Sequence, residues 1–212
     1  ALAGNRKLAG AFDQAVSALS DAGFPRRYVA AWTLGELGDR RAVGPLIEAI
    51  SREHGEVARE AARSLVMLGK ASSGPLLVAL PGLTGEARGY ALRILGEVRD
   101  PAALGALSWA LSDPATRADA AWALGTLDRH EAWNALMPLL DDPEWRVRLE
   151  ACRSLGLLVA KEAEKPLERL RTSDPEPAVR EWAARSLALL RGRPQTFPDA
   201  LGELIEPENL YR

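Results

Sequence analysis

The chain has 212 residues, 47% of them hydrophobic, which is enough apolar surface to bury a core and excludes disorder as the main state. With 27 basic against 29 acidic side chains the formal net charge is −2, so no global field exists to gather nucleic acid or an anionic membrane. The absence of an apolar run of about 18 residues and of a signal-peptide pattern predicts a soluble, cytoplasmic protein, and the opening Ala1 predicts a processed or excised chain.

The first segment, AFDQAVSALSDAGF, places Ala15, Val16 and Leu19 31 residues before Leu46, Ile47 and Ile50. It reads as the second helix of a unit whose first helix is missing or only partial, so residues 1–25 are expected to form an N-terminal half-repeat that caps the array. From residue 26 one line then recurs. A leucine anchors it at Leu34, Leu65, Leu95, Leu124, Leu155 and Leu187, in steps of 31, 30, 29, 31 and 32 residues. A second anchor, at Leu46, Leu76, Leu107, Leu136 and Leu167, steps by 30, 31, 29 and 31. Two independent registers with one period mark a repeat architecture.

Within each unit the first segment carries apolar or small residues at helical spacing, as in Val57, Ala61, Ala62, Leu65 and Leu68. The second does the same in Val43, Leu46, Ile47 and Ile50, and an early proline (Pro45, Pro75, Pro166) marks its start. Between units stand SDPAT, DDPEW and TSDPEP, where an Asp before a proline stops one helix and caps the next. Each unit is therefore a helical hairpin that cannot bury its apolar face alone. The expected fold is all-α: a right-handed α-solenoid (superhelix) of stacked antiparallel hairpins, about six repeats at 26–56, 57–86, 87–115, 116–145, 146–178 and 179–190 onward. Gly35, Val66, Gly96, Gly125, Gly156 and Ala188 follow the anchors, and small residues in mid-helix predict close helix approach. Residues 191–212 read as a C-terminal cap, with a last apolar helix in FPDALGELI and a polar tail in EPENLYR, and Pro138 is expected to kink its helix.

On these residues the chain resembles HEAT repeats of the short subtype found in phycobilisome lyases: AAWTLGELGDRRAVGPLIEAI, residues 30–50, follows that family's line, and the similarity spans about residues 26–190. The resemblance implies the solenoid, and it implies second helices on the concave side. For activity it leaves adaptors and lyase subunits both open. Deoxyhypusine hydroxylases resemble the chain in their repeats as well, but they place His-Glu pairs in the first helices to hold two irons, and here those stretches (VAREAARSL, VRLEACRSL, VREWAARSL) contain no histidine.

No catalytic or metal constellation is legible. His130 and Glu131 fall in a turn, His54 falls in a loop between units, and Cys152, alone among alanines in EACRSL, reads as a small buried hydrophobe. Seven before the anchors stand Arg27, Ala58, Arg88, Arg117, Arg148 and Arg180, in a first helical turn where a cation opposes the dipole. The loop acids Asp113, Asp142 and Asp174 are expected to offset them in a structural ladder. Two before the anchors stand Trp32, Arg63, Arg93, Trp122, Arg153 and Arg185, predicted to form a cation–π ridge on the convex surface. On the second helices Val78, Trp109 and Pro138 form an apolar row, flanked by Glu48, Arg52, Lys165 and Arg169, which predicts a concave groove for a partner.

The sequence thus favours a non-enzymatic scaffold that binds a protein or peptide partner in that groove, without cofactor or metal, as a monomer or as part of a larger chain or complex. One alternative, implied by the resemblance, is a bilin (tetrapyrrole) lyase-like subunit or chaperone. A second is nucleic-acid binding through the Trp and Arg ridge.

Overall fold

A computed structural model of the chain describes residues 2–20, 23–192, 197–198 and 204–205. It divides into two compact units, Ala1–Ala106 and Leu107–Arg212.

In the first unit, α1 (Leu2–Leu19) packs along α2 (Phe24–Leu37), and a turn then leads into α3 (Val43–Arg52). They are followed by α4 (Gly55–Met67), α5 (Lys70–Ala79) and α6 (Gly85–Val98). Helix α2 lies against α4 and α4 against α6, while α3 packs on both α4 and α5. The local chemistry sets the corners. Gly38, at φ 65°, closes α2 with its N–H on the Gly35 carbonyl. The Asp39 carboxylate accepts from the Arg41 amide at 2.9 Å and starts the 3-10 turn Arg40–Ala42 that runs into α3. Asp100 repeats the device on the Ala102 amide at 3.1 Å.

Helix α7 (Leu104–Ala110) contains the boundary between the units. The second unit continues with α8 (Arg117–Thr126), the short α9 (Trp133–Leu136), α10 (Trp145–Leu157), α11 (Glu164–Ser173) and α12 (Pro177–Leu190). Here α8 packs on α10, α10 on α12, and α11 on α12. In each unit the helices that head successive repeats lie side by side in sequence order, so the fold is an α-solenoid built of helical layers. All eleven anchor leucines are buried, none more than 2% exposed. At about 1.5–3 kcal/mol for each buried leucine, these contacts are the main force holding the layers together.

Three mid-helix glycines sit where two layers meet. A Cβ on Gly35 would lie 2.5 Å from Ser64 Oγ, one on Gly125 2.3 Å from Ser154 Oγ, and one on Gly156 2.5 Å from Ser186 Oγ. Each serine is buried and donates across the contact to a main-chain carbonyl: Ser64 to Ala31 at 2.9 Å, Ser154 to Ala121 at 2.8 Å, Ser186 to Cys152 at 2.7 Å. Gly35, Gly125 and Gly156, three of the six positions predicted for close approach, thus have specific partners about one repeat further on.

Two expectations are corrected. Pro138 does not kink a long helix: α9 ends at Leu136 and a 3-10 stretch, Met137–Asp141, takes over, because proline has no N–H to continue the α ladder. The predicted C-terminal helix is also absent from the described residues of FPDALGELI, where Phe197 and Pro198 pair antiparallel with Ile205 and Leu204. A residue before proline is driven to extended backbone, which favours a strand there. The polar tail EPENLYR lies outside the described residues.

Candidate functional site

The seven residues grouped on the second helices are all exposed. In the first unit Glu48 and Arg52 pair one turn apart on α3, and Val78 on α5 is 84% exposed. In the second unit Trp109 is 58% exposed, Pro138 lies at the surface, and Lys165 and Arg169 extend from α11, with Arg169 bonded to Asp141 at 2.6 Å.

The arginine and aspartate positions come together across the repeat. Arg117 donates to Asp142 at 2.6 Å and to the Leu111 carbonyl at 2.7 Å. Arg148 grips Asp174 with two parallel bonds of 2.7 and 2.9 Å and also reaches the Asp142 carbonyl at 2.9 Å. Arg180 donates to the Asp174 carbonyl at 2.6 Å. Meanwhile Asp113, Asp142 and Asp174 each accept a main-chain amide two residues on, at 3.0, 2.9 and 2.9 Å. Each aspartate of the ladder that meets an arginine is thus a turn cap as well, which offsets the cation in the first helical turn. In the first unit Arg27 meets Glu53 at 3.2 Å, and Arg88 occupies the first turn of α6.

The residues two before the anchors fall in two environments, and the stacking of Arg153 on Trp122 is present but covered. Trp32, Arg63 and Arg93 are exposed, but Arg153 is only 9% exposed. Its guanidinium lies 5.5 Å from the Trp122 ring centroid and 5.9 Å from that of Trp182, with Glu150 at 3.3 Å. Arg185 lies 4.9 Å from the same Trp182 ring and pairs with Glu181. A planar, weakly hydrated guanidinium can be covered by rings in this way. Trp182 escaped the sequence reading because it stands five residues before its anchor, Leu187, rather than two; comparing both offsets between successive units would have exposed the stack.

Other reactive groups are isolated. Cys152 is fully buried, and burial pushes its thiol up to about 12. His54 is exposed, 3.3 Å from Glu86, and His130 is exposed at the start of a 3-10 turn. Among the described residues no group of His, Cys, Asp and Glu could hold a metal ion, and no helix is long and apolar enough to cross a membrane.

Two of the clefts on the first unit are roomy enough for a small molecule. One, of about 460 Å³ between α1 and α2, is lined by Ala11, Ala15, Pro25 and Val29 with Arg26 as its single charge. The other, of about 500 Å³ between α4 and α6, is lined by Arg59, Arg63, Met67, Tyr90, Arg93 and Glu97. Met67 is 47% exposed, and the Tyr90 hydroxyl donates to Glu86 at 3.0 Å. Partial burial, then the Glu86 bond and charge, hold the Tyr90 phenol above its ordinary value. The sequence reading named Arg63 and Arg93 but missed their apolar neighbours; the signal is Met67, standing two after its anchor where neighbouring units carry Glu36 and Glu97.

The layered hairpins define a HEAT-type α-solenoid, and the chain matches the HEAT repeats family over residues 12–82, 82–148 and 134–210. It is 30% identical over 162 residues to the phycocyanobilin lyase subunit beta of Nostoc sp. (strain PCC 7120), covering 67% of this chain and 81% of that protein. It is 37% identical over 121 residues to the protein of the same name from Thermosynechococcus vestitus, covering 56% of each, so it spans little more than half of that relative. A solved chain from the CpcE–CpcF complex of phycocyanin lyase from Nostoc sp. PCC7120 superposes with a TM-score of 0.65 at 28% identity, over 70% of this chain and 99% of that one. A designed armadillo repeat protein in complex with the peptide (KR)4, at 19% identity and a TM-score of 0.56, shares the fold. The chain belongs to the HEAT-repeat family, in the short-repeat branch that includes the phycocyanobilin lyase subunits.

This overturns the expectation of a non-catalytic scaffold and with it the reading that the protein is not an enzyme. Both curated relatives are lyase subunits. A solenoid distributes functional side chains over separate layers, so the absence of a compact catalytic motif in the sequence carried less weight than the sequence reading gave it.

Proposed function

We propose that this chain is a subunit of a bilin lyase: it binds an open-chain tetrapyrrole and acts in joining it to, or removing it from, a protein acceptor. The observation that carries this reading is the 30% identity extending over 81% of the Nostoc lyase subunit. A lyase makes or breaks its bond by addition across, or elimination to form, a double bond, so some group must add to the bilin. Cys152 is the only cysteine of the chain, and a fully buried thiol pushed up to about 12 is not that group. In this reading the adding group belongs to the acceptor, and the role of this chain is to hold and orient the pigment.

The relatives are β subunits, and their structural counterpart is a two-protein complex, which supports a protein partner here too. The exposed second-helix residues are the ones we assign to it, taken unit by unit: Val78, Glu48 and Arg52 on the first, and Trp109, Pro138, Lys165 and Arg169 on the second. The direct test is absorption spectroscopy. Phycocyanobilin added to the purified protein is expected to shift and sharpen its visible bands; a mixture whose spectrum remains the sum of its components removes the reading.

A further inference from the structure

We infer that the cleft between α4 and α6 is the bilin seat, with Arg63 and Arg93 receiving the propionates of the tetrapyrrole and Met67 and Tyr90 covering its rings. This assignment rests on the lyase reading and adds the place and the recognition chemistry. A bilin is a flat, largely apolar chain of four pyrrole-type rings with two propionates that are ionised at neutral pH. A site for it therefore needs an elongated apolar floor with cations along its edge.

The α4–α6 cleft has that composition. Its volume of about 500 Å³ lies within the range of roughly 300–1,000 Å³ typical of small-molecule sites. Three arginines line it with one carboxylate, Glu97, while Glu56, Glu60 and Glu86 stand behind the lining against Arg59, Arg63 and Tyr90, so the cleft presents guanidinium donors without a net positive charge. The arginines come from two helices: Arg59 and Arg63 lie one turn apart on α4, and Arg93 lies on α6. Arg59 is already held by Glu56, whereas Arg63 is 66% exposed and 3.9 Å from the nearest oxygen of the buried Glu60. A guanidinium can take a carboxylate with two parallel bonds, and cations spaced on neighbouring helices can take two carboxylates of one ligand. Between them Met67, Val66 and Ile94 supply the apolar floor, and Met67 is a polarizable, adaptable contact for a conjugated ring. The α1–α2 cleft, nearly as large, has one cation and lacks this pairing.

The test compares phycocyanobilin with its dimethyl ester, using visible absorption to obtain dissociation constants for the wild-type chain and the Arg63→Glu/Arg93→Glu variant. Wild type is expected to bind the acid at least tenfold more tightly than the ester. The variant should lose that preference and bind the acid at least tenfold more weakly, with far-UV circular dichroism unchanged. Should the charge reversal lower helicity, Arg63→Gln/Arg93→Gln provides the same comparison. If wild type binds the acid and the variant matches it, the seat is elsewhere while the lyase reading stands. Failure of wild type to bind the acid at all overturns both, and equal affinity for acid and ester overturns the carboxylate recognition.

Discussion

Ser154 occupies the space that a side chain on Gly125 would need: a Cβ there would lie 2.3 Å from its Oγ and 2.7 Å from its Cα. Because one of the clashing atoms is main chain, rotating the serine away does not relieve it. Gly125→Ala is therefore expected to destabilise the protein by about 1–3 kcal/mol, less the gain of about 1 kcal/mol in helix propensity. Gly10, exposed in α1 and followed by alanine, has nothing within 4 Å of its would-be Cβ, and Gly10→Ala should stabilise by about 0.5–1 kcal/mol. Urea unfolding of the two variants checks this; a shift of the same sign in both would show that packing does not decide at Gly125.

Arg148 and Asp174 form a covered, doubly bonded ion pair, with side chains 12% and 2% exposed. Arg148→Met is expected to cost about 3–5 kcal/mol, because it leaves the carboxylate buried without its partner. Burial alone pushes the Asp174 carboxyl up, but the bonds from Arg148 and from the Glu176 amide outweigh it and hold the group below the ordinary aspartate value. A depressed folded value means that the contribution is fully present above about pH 4 and is lost as pH falls through the folded value. Asp174→Asn should thus lower stability at pH 7 and flatten its acid dependence below pH 4. An unchanged acid limb in urea titrations at pH 2–7 would count against the pair.

Arg153 is held between Trp122 and Trp182, so its substitution acts on packing and not on a binding surface. Arg153→Ala is expected to destabilise by about 2–3 kcal/mol, combining lost stem packing with a Glu150 left half-buried. Tryptophan fluorescence should shift to the red. With this arginine covered, no gel shift with single-stranded nucleic acid is expected at low salt, and a complex that Arg153→Ala abolishes without loss of stability would reverse the conclusion.

Val159 takes φ 50° at the end of α10, the left-handed conformation that Gly38 adopts at the end of α2. A β-branched residue is strained there by about 1–2 kcal/mol. Its side chain is 45% exposed, so little packing is lost by removing it. Val159→Gly should raise the unfolding free energy by up to about 1 kcal/mol, despite the added freedom of the unfolded chain. Calorimetry decides the sign, and a lower transition temperature would show that the valine packs better than its exposure implies.

The repeat period, the helical character of both segments and the buried anchors were legible in the residues themselves. They express one physical requirement, that each hairpin bury its apolar face on the next, and this requirement recurs with every layer. The aspartates before proline were legible for a similar reason, since capping is a local contact within three or four residues. Polar and exposed side chains obey no such rule. Whether Arg153 reaches solvent depended on the ring that an adjacent layer set over it, at an offset different from its own. The α4–α6 cleft arose because Met67 replaced a glutamate beside two arginines that sit 30 residues apart in sequence. The strand pair at Phe197 and Ile205, and the 3-10 stretch at Pro138, were likewise decided by main-chain hydrogen bonding that helical periodicity does not encode. Sequence determined what every layer shares; the tertiary structure decided what single layers do differently, because those differences are contacts between residues a full repeat apart.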